Sequence, residues 1–221
     1  MFRRHFAALV TLLAFSSSFV LAAESTLPPK PHGAEIAFVS GIQKDLTARF
    51  ATTAQAEAAG YFRYTDEDDT GAISYVNVQQ WTSADPQHPS QLWYSVDGKL
   101  LGADFSVPYD AANPPKLWGV DPTRWTHFGA HVHYVLDTNG TTMYGHATSV
   151  KKFEAAGGDV KNPQAAILVK MGIAKDASNV KHLFLFPNIW DLEVWVLPNP
   201  DGAFADKNPN VHPSANARDM D

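Results

Sequence analysis

The chain has 221 residues, no cysteine and a formal net charge of −6 at pH 7. Cysteine nucleophiles, thiolate zinc centres and iron–sulfur clusters are therefore excluded, and the acidic balance argues against nucleic acid or an anionic membrane as partner. The length suits one domain with a sizeable core, and 13 Phe, 7 Tyr and 6 Trp favour a β-rich one.

Residues 1–23 read as an export signal. Arg3 and Arg4 precede an apolar run from Phe6 to Phe15, and Leu21-Ala22-Ala23 offers small residues for cleavage. The run is short of the roughly 20 residues that a membrane span needs. The expected mature protein is thus exported, secreted or periplasmic, with no membrane span. Every acidic residue follows this segment, so cleavage would leave a more acidic chain.

Residues 24–34, ESTLPPKPHGA, read as an extended Pro-rich leader. A helix is expected over 34–59, where Ile36, Val39, Ile42, Leu46 and Phe50 recur at helical steps before Gly60. Gly41 is a point of interruption. The segments YFRYT, AISYVNVQQW, QLWYSV and KLLGADFSV then read as strands, with Asp97-Gly98 as a two-residue hairpin turn. The Pro-punctuated stretch 108–125 carries Trp118 and Trp125 and is long enough to wall or cover a site. Beyond residue 149, SVKKFEAAGG and NPQAAILVKMGIAKDAS read as helices, the second starting at Pro163. The strands VKHLFLFP and WDLEVWVLP close the fold, and 199–221 reads as a surface tail. Together these elements give a single α+β domain over 35–198. Its expected core is an antiparallel sheet, curled or barrel-like, with an N-terminal helix and one or two helices inserted before the last strands.

Chemistry concentrates in HFGAHVHYVLDTNGTTMYGHATS, residues 127–149. Strand alternation places His131 and His133 on one face. A two-residue Asn139-Gly140 turn would pair Thr138 with Thr141, Leu136 with Met143 and His133 with His146. A four-residue loop would set His131 against His146 instead. Either register gathers His131, His133 and His146, whereas an odd loop would undo the arrangement. Three neutral imidazoles can hold Zn, Fe, Cu or Mn, with His127 or His182 as a fourth ligand. Asp191 and Glu193 alternate on one face of a later strand and could serve as general base or supporting carboxylate. The spacing H-x-H-x3-D over His131, His133 and Asp137 is similar to the first metal motif of the cupins. That resemblance is confined to this one stretch, and the second cupin motif, P-x-G-x2-H, has no counterpart.

Residues 66–77 resemble part of an EF-hand loop, with Asp66, Asp68, Thr70 and Gly71 in place but Asn77 where the closing Glu belongs. They read as an acidic turn with at most weak Ca2+ binding. No nucleophile elbow, phosphate loop or dinucleotide fingerprint is present. The expected function is a metal-dependent enzyme acting on a small molecule through the histidine hairpin. The alternatives are a non-catalytic exported protein that binds a ligand or metal, and a structural or envelope protein with incidental histidines.

Overall fold

The computed structural model describes residues 29–218. The export signal read at 1–23 and the start of the leader lie outside the described residues, as do residues 219–221. Helix α1, Glu35–Phe50, buries Val39, Ile42, Leu46 and Phe50 along one side, and Gly41 sits within it without a break. The helical pattern instead breaks after Phe50. Thr52 and Gln55 form a reciprocal capping box that starts a second helix, α2, Thr53–Ala58.

Strands β1 (Phe62–Arg63), β2 (Ile73–Val76), β3 (Gln91–Tyr94), β4 (Leu100–Pro108), β5 (Thr126–Phe128) and β9 (Ile189–Trp195) form one antiparallel sheet, ordered β1-β2-β3-β4-β9-β5. Strands β6 (His131–Thr138), β7 (Thr141–Ser149) and β8 (Val180–Phe186) form a second, with β6 central. The fold is thus α+β, as the sequence pattern indicates, with two separate sheets that do not close into a barrel. The β3–β4 connection is longer than the expected two-residue turn. Gly98 has φ +78°, its N–H bonds to Ser95 O, and the strands resume beyond Lys99.

One face of the larger sheet packs on α1, where Leu92, Tyr94, Ala103, Phe105, Leu192 and Val194 meet Val39, Ile42, Leu46 and Phe50. Each buried Val, Leu, Ile or Phe side chain among these contributes about 1.5–3 kcal/mol. The 108–125 stretch closes this helix side. Trp118 stacks on Phe38 with ring centroids 5.2 Å apart, and Trp125 is buried in the same cluster. The smaller sheet rests its Val132, Tyr134 and Leu136 face on α3 (Val150–Ala155) and α4 (Ala165–Lys170) through Phe153 and Leu168. Between the sheets lie Val76, Trp81, Val135, Phe184, Phe186 and Ile189. Segment 199–218 folds back onto the larger sheet, where Trp195 donates its backbone N–H to Ala203 O and its indole N–H to Ala205 O.

Candidate functional site

The histidine hairpin begins as its sequence predicts. Asn139 and Gly140 take φ values of +55° and +82°, and Thr138 pairs with Thr141 and Leu136 with Met143. The register then slips. Tyr144 and Gly145 together oppose Val135, with Gly145 at φ +72°, and beyond them Tyr134 pairs with His146 and His133 with Ala147. A bulge of one residue moves every later side chain to the other face. His146 therefore leaves the His131/His133 face and stacks on Tyr134 at 5.9 Å. The expected three-histidine set is not assembled. The bulge has a tertiary cause: the Gly145 N–H donates to Tyr64 O at 2.8 Å, tying the hairpin to the segment after β1.

Neither proposed fourth ligand joins the pair. His127 is exposed on β5, bonded to Asn188 Oδ1 at 2.8 Å and stacked on Tyr109. His182 shares the His133 face but lies flat on Phe62 at 4.0 Å, where burial and then Lys181 depress its pKa. Asp137 of the cupin-like spacing braces the turn instead, accepting from Gly140 N–H and pairing with Lys181. In the acidic turn, Asp66 pairs with Arg63 and Arg218, and Asp69 pairs with Lys207. Asp68 Oδ1 caps Thr70 and Ala72. Among the described residues, no three His, Asp or Glu side chains gather as a metal ion requires.

His131 and His133 do reach a cleft of about 380 Å3 between the two sheets. On its opposite wall stand Asp104 from β4 and Asp191 and Glu193 from β9. The antiparallel register sets Asp104 against Glu193 and Ser106 against Asp191, so alternation sends all four polar side chains away from α1. The sequence reading found Asp191 and Glu193 but missed Asp104. The alternation of Asp104 and Ser106 around buried Phe105 was the available signal. Trp93 and Trp195 line the same wall, with rings 5.6 Å apart at 79°. Trp93 lies across Gly102, where a Cβ would come within 2.2 Å of its ring. Tyr64 and Phe186 enclose the cleft, and Phe204 and Asp206 of the folded-back segment complete it.

The electrostatics are unusual for so polar a wall. Asp104 is 5% and Asp191 2% exposed, while Glu193 opens into the lumen. Burial, then the neighbouring Asp191 and Glu193, push the Asp104 carboxyl well above the usual carboxylate range. Burial pushes Asp191 up to about 8, against the opposing hydrogen bond from Ser106. Burial, then Asp206 and Asp68, raise Glu193. Burial and the adjacent His131 push His133 down to about 3. Near neutral pH Asp191 is thus largely uncharged and faces an uncharged His133 imidazole. Behind the wall, Ser106 donates to Asp191 Oδ1 at 2.5 Å and touches Ser90 Oγ at 2.6 Å. Among the described residues, Asp104 Oδ1 and His133 Nδ1 are buried without a well-formed hydrogen bond, although the Trp93 side chain neighbours Asp104 and the His146 backbone neighbours His133.

No known protein family, curated protein or solved structure matches this chain.

Proposed function

We propose that this is a small-molecule-binding protein whose working site is the cleft between the two sheets. One observation carries the reading. Asp104 Oδ1 and His133 Nδ1, on opposite walls, are buried without a well-formed hydrogen bond among the described residues. Leaving a buried polar atom unsatisfied costs about 1–3 kcal/mol, so such atoms mark a place where something else supplies the bond. The volume of about 380 Å3 lies within the range of small-ligand sites. The export signal read in the sequence would set this cleft outside the cytoplasm, and the mass of the mature N-terminus tests that.

The test of the site is calorimetric screening of small polar compounds against the wild type and Ala205→Phe, which narrows the cleft. Ala205 is one of its lining residues. Saturable binding that Ala205→Phe abolishes is expected. Binding that this variant leaves unchanged would sink the proposal.

The Ser90–Ser106–Asp191 chain favours a second reading, catalysis by general acid transfer from Asp191. A neutral Asp191 can donate into that chain or towards a bound molecule, and a pKa raised to about 8 suits a proton donor near neutral pH. Incubating bound compounds with wild type and Asp191→Asn, followed by mass spectrometry, separates turnover from binding alone.

A further inference from the structure

We infer that the cleft takes a small organic ammonium ion carrying an aromatic or aliphatic body. The inference rests on the reading of the cleft as a ligand site and names its ligand class. Three features of the cleft converge on it.

The first is charge. Asp68, Asp104, Asp191, Glu193 and Asp206 all line the cleft, and no Lys or Arg is among its lining residues. An anion entering it would meet only like charge or neutral groups. The second is hydrogen-bonding capacity. Several donors at the cleft are already engaged within the chain. Tyr64 OH donates to Gln91 Oε1, and Thr70 Oγ1 donates to Asp68 Oδ1. Trp195 Nε1 donates to Ala205 O, and Ser106 Oγ donates to Asp191 Oδ1. On ionisation the wall offers open acceptors: among the described residues Asp104 Oδ1 has no well-formed hydrogen bond, and Glu193 faces the lumen. An ammonium group brings three donors and no acceptor. The third is the shape of the apolar surface. Trp93 and Trp195 meet nearly at right angles, with Phe186 and Phe128 across the cleft. Crossed aromatic walls present ring faces and edges around a compact group, the setting in which cations are held over π surfaces.

Burial raises Asp104, Asp191 and Glu193, and neighbouring acids add to it: Asp191 and Glu193 at Asp104, Glu193 at Asp191, and Asp206 and Asp68 at Glu193. The other titratable groups lining the cleft are Tyr64 from the segment after β1, His131 and His133 from the second sheet, and Asp68 and Asp206. None is a fixed cation. A bound ammonium ion supplies the missing positive charge, favours the ionised carboxylates and releases protons. Binding therefore tightens as pH rises through neutrality.

The probes are benzylammonium, benzyl alcohol and benzoate, which share a size and differ in charge. Titration calorimetry at pH 7.5, in buffers of different ionisation enthalpy, reads affinity and proton release together. Benzylammonium is expected to bind at least tenfold tighter than benzyl alcohol, with net proton release, and benzoate not at all. Glu193→Gln is expected to weaken the ammonium about tenfold and leave benzyl alcohol unchanged. Equal binding of the alcohol, or tighter binding of benzoate, would overturn the ammonium inference. So would failure of benzylammonium to saturate. In each case the cleft reading survives if Ala205→Phe abolishes whatever does bind. Benzylammonium binding that persists in Ala205→Phe would overturn both.

Discussion

Two regions of this protein bury carboxyl groups, and they do so in opposite ways. At the N-terminus of α1, Glu35 is 1% exposed. It receives hydrogen bonds from the backbone of His32 and Asp121 and from the equally buried guanidinium of Arg124. Burial alone would raise its pKa, but these bonds outweigh it and hold Glu35 below the usual range. On the far side of the same sheet, Asp104 and Asp191 are buried just as deeply without a cation, and their pKa values rise. The first arrangement is saturated and clamps the 108–125 stretch onto the helix. The second leaves acceptors open towards a cleft. A buried carboxyl with all its partners is a structural fastening, whereas one without them points to an occupant from outside the chain.

The largest test removes the cation from the saturated region. Arg124→Ala leaves Glu35 buried without its counter-ion and is expected to cost about 3–5 kcal/mol in denaturant unfolding. A loss below about 1 kcal/mol would show the two regions to be more alike than their geometry suggests. Next comes the cleft wall. Gly102→Ala forces Trp93 off the strand, since the new Cβ would also lie 2.8 Å from Val194 O. An expected cost of about 1–3 kcal/mol should be accompanied by weaker ligand binding.

Titration sharpens the contrast further. Asp191 is raised from 3.8 to about 8, so its stabilising contribution is complete below pH 3.8 and disappears as pH rises through 8. The loss is up to about 1.4 kcal/mol per pH unit for each such group. Glu35 behaves oppositely, contributing above its unfolded value and losing that contribution in acid. His133, pushed down from 6.5 to about 3, also withdraws stability as pH falls through that window. Thermal unfolding of Asp191→Asn between pH 6 and 9 should be flatter than that of the wild type. Parallel curves would mean that Asp191 is already ionised. The smallest expected effect is that of Glu193→Gln at pH 6, within about 0.5 kcal/mol of the wild type, because its carboxyl opens into the cleft and no fastening is lost.

Much of the local structure was legible. Asn139-Gly140 dictates its turn because both residues tolerate positive φ, and the first pairs of the hairpin follow from it. Thr52 and Gln55 also carried a readable capping signal, although the surrounding helical periodicity masked the break. The bulge at Gly145 was not legible, because the partner of its N–H is Tyr64 O on a distant segment. That single inserted residue separated His146 from His131 and His133. The alternation of Asp191 and Glu193 marked a polar strand face, but only strand pairing could bring Asp104 beside them.

By itself, then, the sequence determined the fold class, most of the order of helices and strands and the Asn139-Gly140 turn, since these depend on dihedral preference and on the period of apolar residues along short segments. The tertiary structure decided which polar side chains share a space. Pairing β4 with β9 and laying the histidine sheet across them placed carboxyls and imidazoles around one cleft. Pairing and the bulge are fixed by hydrogen bonds between distant segments, and no local pattern encodes those.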